Sequence, residues 1–78
     1  MVRIKYFGAI AEATQCSEEE IILKHARLSD VLEDLSCKYE LGKFSIQIAL
    51  NQNLVDVNDG ILVNDNDEIA ILPPFAGG

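Results

Sequence analysis

Apolar and polar residues alternate at the start of the chain, where Val2, Ile4 and Tyr6 are separated by Arg3, Lys5 and Phe7. A period of two predicts a β-strand with one core face. Phe7 then falls on the face away from Ile4, an exposed position that is unusual for an aromatic ring. Gly8 ends the strand, and Ala9 to Ala13 suit one short helical turn. Thr14-Gln15-Cys16-Ser17 reads as a loop. Ser17 followed by Glu18, Glu19 and Glu20 carries a helix-capping signature. The adjacent β-branched pair Ile21-Ile22 favours extended structure instead, so Glu20 to Leu23 is read as a strand returning beside the first.

A different period follows. Leu28, Val31, Leu32, Leu35 and Tyr39 recur at the spacing of one helix face. Ser29 is a suitable N-cap and Asp30 puts negative charge in the first turn. Lys38 falls in the last turn and Gly42 suits the C-cap. The pattern predicts one substantial helix from about Asp30 to Glu40. Three short strands come next: Ile46 to Leu50, Leu54 to Val57 after the turn Asn51-Gln52-Asn53, and Glu68 to Leu72 after the acidic turn Asn64-Asp65-Asn66-Asp67. Ile61-Leu62-Val63 is a short apolar segment between turns. Pro73-Pro74 cannot donate to a ladder, so the last strand must stop there. Strands flanking one long helix call for an α+β architecture, a mixed sheet with the helix across one face. This is the element order of the β-grasp of ubiquitin-like proteins. Residues 1–74 form the predicted domain and residues 75–78 a flexible functional tail.

Composition narrows the classes. At 78 residues there is room for one domain. With 49% hydrophobic residues the chain should fold, and no apolar run approaches membrane-spanning length. The net charge of −7 would repel phosphates, so nucleic acid is not expected as a partner, and neither is a membrane. The alternating opening residues read as a strand rather than a secretory leader. Cys16 and Cys37 form no CxxC pattern, which fits a reducing cytoplasm better than a disulfide framework.

Few side chains propose themselves for catalysis. His25 stands alone between the second strand and the helix, and neither cysteine has a nucleophile signature. Cys37, on the helix beside Leu35, reads as a small core filler. Glu18, Glu19 and Glu20 read as a solvated run. The Asn64–Asp67 turn lacks the glycine and the terminal glutamate of a calcium loop, so no metal is expected.

What remains is Phe75-Ala76-Gly77-Gly78. The prolines stiffen the exit from the last strand. Two glycines let an extended backbone thread a channel too narrow for any Cβ. The Gly78 carboxylate is then the group delivered at the far end. It is a poor acyl donor until a partner converts it with ATP to an acyl-adenylate, from which a sulfur donor can make a thiocarboxylate.

Across essentially its whole length the sequence resembles the small, sulfur-carrying subunits of molybdopterin synthase. The segments that carry the likeness are Asp67 to Ala70, Leu72 to Gly78, Ala49 to Val55, the opening Val2 to Gly8, and Ala11-Glu12. Gln15 departs from it, standing where the family commonly has glycine in a turn. The resemblance implies a non-catalytic carrier. Gly78 is adenylated by an E1-like adenylyltransferase, which uses the ATP, and a sulfurtransferase system supplies sulfur. No cofactor is stably bound, and Gly78 carries a 1-thioglycine modification. The tail, Phe75, Ala76 and Gly77 leading to Gly78, inserts into a pocket of the large synthase subunit, and sulfur passes to cyclic pyranopterin monophosphate. The resemblance also puts Phe7, Leu54 and Leu72 on the surface that docks the large subunit. Two related functions share the tail: the thiazole-forming sulfur carrier of thiamine synthesis, and a ubiquitin-like modifier joined through Gly78 to lysines of other proteins.

Overall fold

A computed structural model describes residues 1–24, 26–41, 45–57 and 60–73. The elements run β1 (Val2–Tyr6), α1 (Gly8–Thr14), β2 (Glu18–Ile21), α2 (Leu28–Tyr39), β3 (Gln47–Leu50), β4 (Asn53–Val55) and β5 (Glu68–Leu72). The strands form one sheet in the order β2-β1-β5-β3-β4. β1 and β5 are parallel, with Ile4 beside Ile69 and Tyr6 beside Ile71, and the other pairings are antiparallel. The expected mixed sheet is therefore present.

Register decides the two faces, because a strand side chain shares its face with its cross-strand partner. Val2, Ile4, Tyr6, Ile48, Ile69 and Ile71 share one face and are buried together with Leu28, Val31 and Leu35 of α2. This is the core, one long helix against one side of the sheet. Ile10 of α1, Leu41 and Val63 close its ends.

Several boundaries differ from the sequence expectation, each for a tertiary reason. α1 is longer than one turn. β2 begins at Glu18, two residues early, because the Tyr6 amide donates to the Ser17 carbonyl at 2.9 Å and fixes the register from there. The pair Ile21-Ile22 thus marks the end of the strand rather than its centre. α2 starts at Leu28, and Arg27 rather than Ser29 is the N-cap, with no side-chain cap bond. Arg27 forms a single bridge with Leu62, and the Leu28 amide donates to the Ile61 carbonyl at 3.0 Å. That backbone partner satisfies one of the orphan amides of the first turn. At the other end the C-cap is Glu40 at φ 57. Gly42, the expected cap, lies outside the described residues. Leu32 is only partly buried, and Cys37, expected as core filler, is exposed. β4 ends at Val55, short of Val57.

The β3–β4 connection is a two-residue turn, Asn51 and Gln52 at φ 51 and 71, with Leu50 paired to Asn53. Positive φ at both positions is the hairpin geometry that asparagine tolerates. The Asn51 side chain also accepts from the Glu68 amide at 3.0 Å and donates to Asp67 Oδ1 at 3.1 Å, fastening the hairpin to the start of β5. Asp67 Oδ2 in turn accepts from the Asn64 amide at 2.7 Å, so the acidic segment is a self-bonded turn.

Candidate functional site

The sheet face away from α2 is open, and the alternation of β1, β3 and β5 dictates what lies on it. Phe7 follows Tyr6 and so points away from the core, next to Leu72, which follows Ile71. Ala70 pairs with Ala49, and Ala49 with Leu54. The result is a shallow apolar floor of Ala49 and Ala70 with larger side chains around it. Phe7 is 44% exposed and Leu54 59% exposed, while Leu72 is partly buried. The three residues expected at an interface, Phe7, Leu54 and Leu72, thus share one face. The opposite half of that face is charged, with Arg3 Nε 3.7 Å from Glu18 and Lys5 Nζ 3.3 Å from Glu68. An apolar patch with a charged margin is the composition of a protein-binding surface.

The root of the tail is fixed at the end of β5, against the end of β1. The Phe7 amide donates to the Ile71 carbonyl at 3.2 Å, extending the β1–β5 ladder to the strand's last turn outward. Gly8 adopts φ +57, and a Cβ built there would stand 3.1 Å from Pro73 Cγ. Glycine is favoured at this position by the backbone conformation, and a Cβ there would press on the Pro73 ring. The chain therefore leaves the sheet at Pro73, beside Phe7 and Leu72. Phe75, Ala76, Gly77 and Gly78 lie outside the described residues, as do Pro74 and His25.

A second polar arrangement escaped the sequence reading. Glu19, in the middle of an acidic run whose composition suggests a solvated strip, faces the helix side of the sheet opposite Ile4. Tyr6 Oη donates to its Oε2 at 2.6 Å, Tyr39 Oη donates to the same oxygen, and Lys38 Nζ donates to Oε1 at 3.3 Å. The two tyrosine rings meet edge to face with centroids 5.6 Å apart. Burial works against the Glu19 carboxylate, but hydrogen bonds from Tyr39, Tyr6 and Lys38 outweigh it and hold its pKa below the usual 4.5. Burial and the same carboxylate push the Tyr6 hydroxyl far up. Cys16 Sγ lies 3.9 Å from Glu19 Oε2 and 3.7 Å from Thr14 Oγ1. The cluster ties β1, β2 and α2 together. No sequence signal marks it, because Glu19 turns inward only through its pairing with Ile4, a core position.

Among the described residues no group of three or more histidine, cysteine or acidic side chains is placed to hold a metal ion, and no helix is long and apolar enough to cross a membrane.

A model of the ThiS family matches residues 4–78. A protein of Mycobacterium tuberculosis named molybdopterin synthase sulfur carrier subunit is 31% identical, over 99% of this chain and 96% of that one. Among solved structures, a Helicobacter pylori complex of subunits 1 and 2 of molybdopterin-converting factor contains a chain 30% identical, with a TM-score of 0.71 over 99% of this chain and 97% of that one. The small archaeal modifier protein 1 of Methanosarcina acetivorans is 33% identical, with a TM-score of 0.75 over 99% and 95% of the two chains.

Proposed function

The chain belongs to the ThiS family, and from that premise we propose that it is the sulfur carrier subunit of a molybdopterin synthase. The observation that carries this reading is the placing of the tail root. Pro73 ends β5 directly after Leu72 and beside Gly8, next to Phe7, so a subunit docked on the face of Phe7, Leu72 and Leu54 lies against the point from which the tail begins. The Helicobacter pylori relative is solved in a complex of subunits 1 and 2, which supports a large subunit as the occupant of the face.

In this account the protein contributes a handle rather than a catalytic centre. An E1-like adenylyltransferase joins the Gly78 carboxylate to AMP, releasing pyrophosphate from ATP. A sulfur nucleophile from a sulfurtransferase system displaces AMP and leaves a C-terminal thiocarboxylate. The tail then enters the large subunit, and sulfur passes to cyclic pyranopterin monophosphate. The absence of side chains at Gly77 and Gly78 suits a narrow channel, and the acidic surface suits basic partner surfaces in the cytoplasm.

A second reading has its own support. The likeness to a small archaeal modifier protein favours attachment of Gly78 to lysines of other proteins. Purification of the native chain followed by mass spectrometry of its C-terminus separates the two. Exchange of one oxygen for sulfur is the expected result. Isopeptide conjugates without that exchange would overturn the carrier reading. Rescue of a strain lacking the molybdenum carrier, but not of one lacking the thiazole carrier, is expected and distinguishes the two sulfur pathways.

A further inference from the structure

Among the described residues no strand lies beside the outer edge of β2, which ends the sheet on the side away from β4. The Tyr6–Ser17 hydrogen bond fixes which backbone groups are spent on β1. By antiparallel alternation Ile4 and Glu19 exchange the next bonds, and the amides and carbonyls of Glu18 and Glu20 point outward. Between this edge and α2 runs a groove lined by the aliphatic side chains Ile21 and Leu23 from one wall and Val31 and Leu35 from the other, with charged residues of both signs, Lys24 and Lys38 among them, also lining it. Glu18 and Glu20 stand on the opposite face of the strand. They lie across from Lys5 and Arg3.

We propose that this edge and groove bind an extended peptide segment in which aliphatic and basic residues alternate, added to the sheet as a further strand. The two faces of β2 set that pattern. A strand pairing with the edge sends alternate side chains into the aliphatic groove and the others alongside Glu18 and Glu20. β2 already selects the same pattern on its inner side, where Val2 and Ile4 enter the core and Arg3 and Lys5 face the two acids. A second copy of the chain is disfavoured as occupant, because antiparallel β2–β2 pairing would set Glu18 and Glu20 against their own counterparts. The edge lies at the far side of the sheet from Leu54 on β4, so its outward backbone groups are remote from the apolar half of the open face.

The test is a titration of the full ¹⁵N-labelled chain with three short peptides: alternating valine and lysine, the same residues in two blocks, and alternating valine and glutamate. The alternating lysine peptide is expected to shift the amides of Glu18, Glu20 and Ile22 and the methyls of Val31 and Leu35, saturably. The other two should bind far more weakly. E18K/E20K should lower affinity for the lysine peptide about tenfold and raise it for the glutamate peptide. If that variant loses its dispersed spectrum, E20K alone serves, and the peptide comparison on the unaltered chain stands without either. Equal binding of the blocked peptide, shifts centred on Phe7 and Leu54, or self-association through β2 would each overturn the proposal.

Discussion

Replacing Glu19 by alanine should destabilise the fold far more than the same change at Glu18 or Glu20, although the three residues are adjacent and identical. Glu19 accepts from Tyr6, Tyr39 and Lys38, and Tyr6 is only 2% exposed. Truncation leaves the Tyr6 hydroxyl buried without an acceptor, at about 1–3 kcal/mol. The Tyr39 hydroxyl, partly exposed, recovers a water, and the exposed Lys38 contact adds little. The sum is about 1–3 kcal/mol, which for a domain this small lowers Tm by roughly 5–25 °C. Glu18→Ala and Glu20→Ala, on the solvent side, should stay within about 0.5 kcal/mol. Glu19→Gln keeps an acceptor and should fall between. The pH dependence has a definite sign. Because the folded pKa of Glu19 lies below the unfolded value, the unfolded state binds the proton more readily. The contribution is complete above the usual 4.5 and is lost as pH falls through the lower folded value, so the gap between wild type and Glu19→Gln should narrow on acidification. Calorimetric or urea unfolding of the wild type and the four variants between neutral and acid pH is the assay. Equal losses at positions 18, 19 and 20, or a gap that widens in acid, would refute the reasoning.

Gln15 sits at φ 61 as the C-cap of α1, so Gln15→Gly should raise stability by about 0.5–1 kcal/mol in the same unfolding experiment. Gly8→Ala should cost about 1–3 kcal/mol, from the left-handed conformation and the Pro73 contact, and should also slow sulfur transfer because it shifts the root of the tail. Phe7→Ala and Leu54→Ala, on the open face, should weaken binding to the large subunit, read by titration calorimetry, by about 1–2 kcal/mol each, with Tm nearly unchanged. Unfolding by Phe7→Ala without a separate loss of affinity would mean that the ring is core.

Periodicity made most of the architecture legible. The α2 stripe of Leu28, Val31 and Leu35 and the alternation of β1 and β5 put the core where the structure has it, and β5 was bounded correctly by Pro73. Element ends were less legible because distant backbone set them. Leu62 and Ile61 start α2 ahead of Ser29, and the Tyr6–Ser17 bond starts β2 inside a run of glutamates that propensity assigns elsewhere. Glu19 was misread for the same reason, since only the pairing with Ile4 reveals that one glutamate of three turns inward. At the site, Phe7 was conspicuous as an aromatic off the core face. The alanine floor of Ala49 and Ala70 and the Gly8–Pro73 contact were invisible, because they exist only once β5 lies between β1 and β3.

The central claim is that Gly78 delivers the sulfur, and its position is what a deletion changes. Removing it sets the carboxylate back by one residue, roughly 3.3–3.6 Å of extended chain. A misplacement of about 1 Å is enough to cost a large factor in rate. The decisive measurement is sulfuration of cyclic pyranopterin monophosphate by the chain ending at Gly77, assayed with the activating enzyme, sulfur donor and large subunit, beside its thermal unfolding. The account predicts loss of sulfur transfer at an unchanged Tm. Normal transfer by the shortened chain would contradict it.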